Sequence, residues 1–223
     1  MRVVRGAVGL LGELLVTLGV VLLLFVGWQL WWTDVVSDAD AAQVVATIEQ
    51  QLDTPGSDFV QPGKAKLGDA YAIVRIPRFG ADYARPLYQG TTREVLQRGI
   101  GHYVDTEMPG EIGNFAMAGH RTTYGKPFNR VAELRDGDVV LVETKDSYFV
   151  YRVTGHQIVP PTQTSVLLPV PDQPGVEPTA ATLTMTSCHP EYSARERFVV
   201  HATLDATYPR SGGVPAQVLE VQS

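Results

Sequence analysis

Leu14 to Trp32, a run of 19 residues without a charge, limits this chain's architecture more than any other stretch. As a helix it spans about 28 Å, close to the hydrocarbon thickness of a bilayer. Trp28, Trp31 and Trp32 crowd one end, where interfacial aromatics sit, and Asp34, Asp38 and Asp40 follow outside. Arg2 and Arg5 flank the other end, the bias that keeps a terminus in the cytoplasm. Glu13 lies near that end, where its carboxylate reaches the headgroup layer. The competing reading is a cleaved signal peptide, with Ala39-Asp40-Ala41 as its small-residue cleavage site. The run is longer than a signal core and three tryptophans crowd its exit, which favours an uncleaved anchor. The expectation is a single-pass protein of the cell membrane: residues 1–6 cytoplasmic, 7–32 a transmembrane anchor, and the remainder extracellular.

The exported part has the content of one ordinary domain. The 223 residues are 44% hydrophobic, enough for a self-sufficient core. Eighteen Lys and Arg against 24 Asp and Glu, with no basic stripe, exclude nucleic acid as the expected partner. Residues 33–69 read as a helix followed by a linker. Val44, Val45, Ile48 and Leu52 give 41–52 helical spacing, and "DTPGSDFVQPGKAKLGD" is rich in Pro, Gly and charge. From 70 to 207 strand signals dominate: "YAIVRI", "RPLYQG", "NFAMAG", a hairpin around Lys145–Asp146, then "ATLTMTS" and "RFVVHATL". In "TTREVLQRG" (91–99) a threonine caps a helical turn ended by Gly99, and residues 166–179, with four prolines, form a loop. Residues 208–223 are a tail. Seven or eight strands with few helices predict a mainly β fold, a closed or nearly closed barrel or sandwich.

Cys188 is the only cysteine. Extracytoplasmic cysteines usually come in pairs, so a lone one there is either deeply buried or kept because it reacts. It sits where a strand ends and the polar loop "HPEYSARE" begins, a rim position suited to a reactive group. A reactive thiol needs a base. Among the five histidines, His120 is best placed, ending "NFAMAG" and opening the loop "RTTYGKPF". His189 should point away from Cys188, His201 reads as structural, His102 follows a glycine, and His156 ends a strand in a turn. An oxyanion needs a positioned cation or N–H donors. Arg197, at the start of the strand after Cys188, fills that need, with Arg195 as competitor. No C-x-x-C or H-E-x-x-H spacing appears, so no metal site and no cofactor are expected. Asp105, Glu107 and Glu111 read as a solvated acidic loop.

These residues resemble the sortase family. "HYVDTEMPGEIGNFAMAGHR" is similar to the segment leading to the sortase catalytic histidine, and "TLTMTSC…RFVV" to the cysteine strand and its arginine. The order His, Cys, Arg is kept, 68 residues apart between His120 and Cys188 and 9 between Cys188 and Arg197. "AGHRTTYGKPFNR" and "CHPEYSARERFVVHA" are most similar to class E, housekeeping-type enzymes of high-GC Gram-positive bacteria. The resemblance covers about residues 70–207. It implies a sortase-type eight-stranded β-barrel with short helices and a membrane-anchored transpeptidase. Cys188 would be the nucleophile, His120 the general acid/base, and Arg197 the stabiliser of substrate and oxyanion. The substrate would be a secreted protein with a C-terminal sorting signal of LPXTG or, by class E likeness, LAXTG type. The Thr–Gly bond would be cut to a thioester, then attacked by an amine of a peptidoglycan precursor. Ser187 stands where the family usually has threonine, which touches substrate packing. Tyr103 is either a filter filling the space a proline would need or a barrel tyrosine. "DTPGSDF" lacks the lid motif of pilin-polymerising relatives, which favours wall anchoring. The alternatives are a cysteine protease that hydrolyses its acyl-enzyme, and a non-enzymatic membrane-tethered β-domain.

Overall fold

The computed structural model describes residues 2–54 and 56–220. The side chains of Arg2, Arg5 and Trp31, invoked above for orientation and the aromatic belt, and the last three residues of the tail lie outside the described residues.

Eight strands close into one barrel: β1 (Ala70–Arg75), β2 (Ala84–Gln89), β3 (Ile100–His102), β4 (Gly113–Ala118), β5 (Val139–Glu143), β6 (Ser147–Val159), β7 (Ala181–His189) and β8 (Glu196–Pro209). Their order around the barrel is β1-β2-β3-β4-β7-β8-β6-β5. Pairing is antiparallel except at β2–β3 and β4–β7. The second parallel joint matters most, because it brings two strand ends distant in sequence to the same rim. Alternation fills the interior: Phe115 and Met117 from β4, Leu183 and Met185 from β7, and Phe198, Val200 and Ala202 from β8 share one core with Tyr71, Leu87 and Tyr151. The long β6–β8 ladder carries a bulge at Val153/Gly155. This corrects the sequence reading of His156 as a strand-end residue. Gly155 is absorbed by the bulge, and β6 continues with His156 stacked on Phe198 at 5.2 Å.

α1 (Arg2–Asp53) is one uninterrupted helix of 52 residues. The separate helix expected over 41–52 is its last three turns. Val8–Trp28 is long and apolar enough to cross a membrane, with mean hydropathy 2.5 and none of it buried. Beyond it, a stripe of 34, 38, 41, 45, 48 and 52 faces the barrel, the three- and four-residue spacing of one helix side. Ala41, Val45 and Ile48 are buried there. Val45 and Ile48 pack on Phe59 and Ile73, each buried aliphatic side chain contributing about 1.5–3 kcal/mol. Phe59 shows that the stretch read as a linker is docked. The tail docks too: Val214, Val218 and Leu219 pack on Val139, Leu141 and Val150.

α2 (Arg93–Leu96) is a single turn that starts at Thr92, whose side chain accepts from the Val95 N–H. The segment between β6 and β7 holds one short helix, Thr164–Leu167. It lies against the outer face of the barrel, where Val166 and Leu167 cover Val159 and Val199.

Candidate active site

Cys188, His120 and Arg197 are brought together by strand register. In the β7–β8 ladder Cys188 is paired directly with Arg197. In the β4–β7 ladder Ala118 is paired with Thr186. Two residues further in the same register, His120 comes opposite Cys188. The chain holds this course: the Gly119 N–H donates to Thr186 O at 3.2 Å, and the Ser187 hydroxyl donates to Gly119 O at 2.9 Å. Since Phe115, Met117, Leu183, Met185, Phe198 and Val200 point inward, His120, Cys188 and Arg197 take the alternate positions and share the outer face.

Each side chain is set differently. Cys188 is a free, half-buried thiol. The His120 ring lies 5.1 Å from the Tyr124 ring. Its Nε2 is buried without a hydrogen-bond partner among the described residues. Burial pushes the imidazole below its ordinary pKa of 6.5, so the neutral ring, able to take a proton, dominates near pH 7. Arg197 is clamped to the β7–β8 loop, Nη1 donating to Ala194 O at 3.0 Å and Glu196 O at 2.9 Å. Among the described residues Nε and Nη2 make no hydrogen bond, which leaves their N–H donors for an incoming group. Arg195, its competitor, lies exposed in the loop before β8.

Tyr103 follows β3 and lies on the same outer face, its hydroxyl 3.0 Å from Thr186 Oγ1. Thr186 precedes Cys188 by two residues, about 7 Å along one face of β7. One wall of this face is built by the segment between β6 and β7. Asn114 Nδ2 donates to Val166 O at 3.1 Å and Leu168 O at 3.0 Å.

Ser187, expected at the substrate surface, is elsewhere. Alternation turns it opposite Cys188, where it is 3% exposed and spends its hydroxyl on Gly119. Asp105, Glu107 and Glu111 form no cluster of three ligands among the described residues. Nor are Glu107 and Glu111 only solvated: Glu107 accepts from the Asn114 N–H and Glu111 from the Met108 N–H, both at 2.9 Å. His201 bonds Thr184 Oγ1 and a Gln157 amide.

Sequence reasoning missed Arg121. It is 7% exposed, and its Nη1 donates to Cys188 O at 3.2 Å and His189 Nδ1 at 3.1 Å. Its guanidinium lies over Phe198, 5.6 Å from the ring centroid. The residue thus ties the turn after His120 to the end of β7. Its only sequence signal is adjacency to His120, and a lone arginine in a polar loop reads as a surface charge.

A closed barrel of mixed pairing with Cys, His and Arg on adjacent strand ends defines the class: a β-barrel enzyme of the cysteine acyl-transfer type. Residues 74–205 match the sortase domain model. The chain is 38% identical over 213 residues to sortase SrtE1 of Streptomyces coelicolor, covering 92% of this chain and 59% of that protein. It thus spans about three-fifths of that relative's length. It is 33% identical over 218 residues to sortase SrtE2 of the same organism, covering 92% of this chain and 85% of that one. The solved structure of sortase E from Streptomyces avermitilis superposes with a TM-score of 0.63 at 40% identity, over 70% of this chain and 99% of that one. The chain belongs to the sortase family, whose members are cysteine transpeptidases, and its kinship within it is with class E.

Proposed function

We propose that this protein is a membrane-anchored transpeptidase that cuts a C-terminal LAXTG- or LPXTG-type sorting signal between Thr and Gly and transfers the protein to a cell-wall precursor amine. The observation that carries the reading is the shared outer face of His120, Cys188 and Arg197 on β4, β7 and β8. The Cys188 thiol gives its proton to neutral His120 and attacks the threonine carbonyl. Arg197 stabilises the oxyanion through its Nε and Nη2 donors. The C–N bond breaks as imidazolium protonates the leaving glycine amine, leaving a thioester. The acceptor amine then attacks the thioester, His120 takes its proton, and the thiolate leaves.

Tyr103, held by Thr186, is the filter for the residue before the variable position: its ring fills the space a proline would need. Val8–Trp28 spans the membrane with the N-terminus in the cytoplasm and residues 33–223 outside, so enzyme and wall share one compartment.

The test uses the full chain in detergent micelles with a Leu-Ala-x-Thr-Gly peptide and an oligoglycine amine, followed by mass spectrometry. A peptide–glycine ligation product that disappears in Cys188→Ala is expected. Cleavage at a rate and product ratio indifferent to added amine would instead make this a hydrolase.

A further inference from the structure

The order in which α1 touches the barrel gives the barrel an orientation. Leaving Trp28, the helix meets Lys126 Nζ through Asp34 at 2.8 Å and Arg85 through Asp38 at 2.6 Å. Ser37 and Asp38 also lie against Gly125, close enough that a Cβ there would be 3.2 Å from Asp38 Oδ1. Val45 and Ile48 come next, on Phe59 and Ile73. Glu49 follows on Arg75, and finally Asp53 on Arg210 at 3.2 Å. On the barrel side this sequence runs from the loop that opens with His120 to the far end of β8. At 1.5 Å per residue, Asp34 lies about 9 Å and Asp53 about 37 Å beyond Trp28 along the axis.

The rim carrying His120 and Cys188 is therefore the end nearest the apolar span. A cavity of about 430 Å³ joins the pieces, lined by Asp34 from the helix, Thr122, Tyr124 and Lys126 from the His120 loop, and Tyr192 from the β7–β8 loop. Tyr192 is 86% exposed, at the tip of the loop that joins Cys188 to Arg197. A tyrosine presenting its ring at that height has an apolar body and a polar tip, the pairing that suits the headgroup layer.

We infer that the active-site rim of the barrel faces the bilayer and that Tyr192 contacts lipid headgroups, so that the β7–β8 loop is a membrane-contact surface. The inference rests on the reading of Val8–Trp28 as a membrane span. It means that both substrates approach Cys188 from the membrane surface, between bilayer and barrel, and that α1 fixes the height of the site.

The test is depth measurement by nitroxide labelling. Cys188→Ala removes the native thiol, and single cysteines are placed by Val20→Cys, Tyr192→Cys and Ser211→Cys in the full chain. Ser211 adjoins Arg210 at the opposite end of the barrel and is exposed. Each variant is reconstituted in nanodiscs of phosphatidylethanolamine and phosphatidylglycerol, and accessibility to oxygen and to an aqueous nickel chelate is compared by power saturation. The expected result is a deep label at Val20, a label at headgroup depth at Tyr192, with chelate accessibility reduced several-fold relative to Ser211, and a fully aqueous label at Ser211. A Tyr192 label as open to the chelate as Ser211, with Val20 deep, overturns the orientation while leaving the anchor intact. A Val20 label open to the chelate overturns the anchor itself.

Discussion

His102 gives the sharpest quantitative prediction about the barrel that supports the site. It is fully buried, packed against Phe115 and Tyr71. Its Nε2 lies 3.0 Å from Glu107 O and its Nδ1 2.8 Å from Gln89 Oε1. Burial holds its pKa down to about 4, against an ordinary 6.5. The folded state therefore resists a proton that the unfolded chain accepts. Between pH 6.5 and 4 the unfolded chain binds more protons, so stability falls as pH falls. The gap between 6.5 and about 4 sets a full loss of about 3 kcal/mol, of which about 2 kcal/mol comes between pH 7 and pH 5. At a urea slope of about 2 kcal/mol per molar, the midpoint drops by about 1 M. Other groups, among them His120 and His201, also held down by burial, add to the same trend. A difference measurement removes them: urea unfolding at pH 7 and pH 5, read by near-UV circular dichroism, for the wild type and for His102→Gln. The variant starts less stable but should lose about 2 kcal/mol less than wild type between the two pH values. Equal losses, within about 0.5 kcal/mol, would show that His102 is not held neutral by its burial.

Three further outcomes follow from the site. Gly119→Ala builds a Cβ 2.7 Å from Phe128 Cδ2. Phe128 is fully buried and its N–H bonds His120 O at 3.0 Å, so the variant should lose about 1–3 kcal/mol of stability and about 10-fold or more in ligation kcat/KM. An unchanged kcat/KM would show that His120 is positioned independently of this contact. The acidic limb of the acylation kcat/KM profile should lie below pH 6.5, because burial pushes His120 down and the neutral ring is lost only as pH falls through that lowered value. A limb at or above 6.5 refutes this. Tyr103→Ala should narrow the preference for Ala- over Pro-containing signal peptides in competition assays, and an unchanged ratio would return Tyr103 to a structural role.

The pairing of Cys188 with Arg197 was legible because the two lie close in the chain. A strand ending at Cys188 and another starting at Arg197 need only antiparallel pairing to become neighbours, and a short loop dictates that pairing. His120 was legible as a candidate because "NFAMAG" reads as a buried strand ending at a polar loop. Its meeting with Cys188 depends on the parallel β4–β7 joint, a contact across 68 residues that no local pattern specifies. The side of the strand was harder. Ser187 and Cys188 are adjacent letters, and only the positions of Leu183 and Met185 in the core tell which faces out.

What the sequence by itself determined is what rests on composition and period: an apolar helix at one end, a mainly β domain behind it, and a thiol, an imidazole and a guanidinium at strand ends. Tertiary structure alone decided what those elements do to one another. Arg121 became a buried brace for the Cys188 carbonyl because a parallel pair brought the two loops together. The stretch read as a linker became a docked segment because Phe59 found Val45, Ile48 and Ile73. The barrel-facing side of α1, from Asp34 to Asp53, found a matching line of partners from Lys126 to Arg210 that fixes which end of the barrel lies toward the apolar span. Local periodicity records which face of an element is apolar, whereas the surface that covers that face is assembled from residues scattered along the chain, and their meeting is a property of the closed barrel.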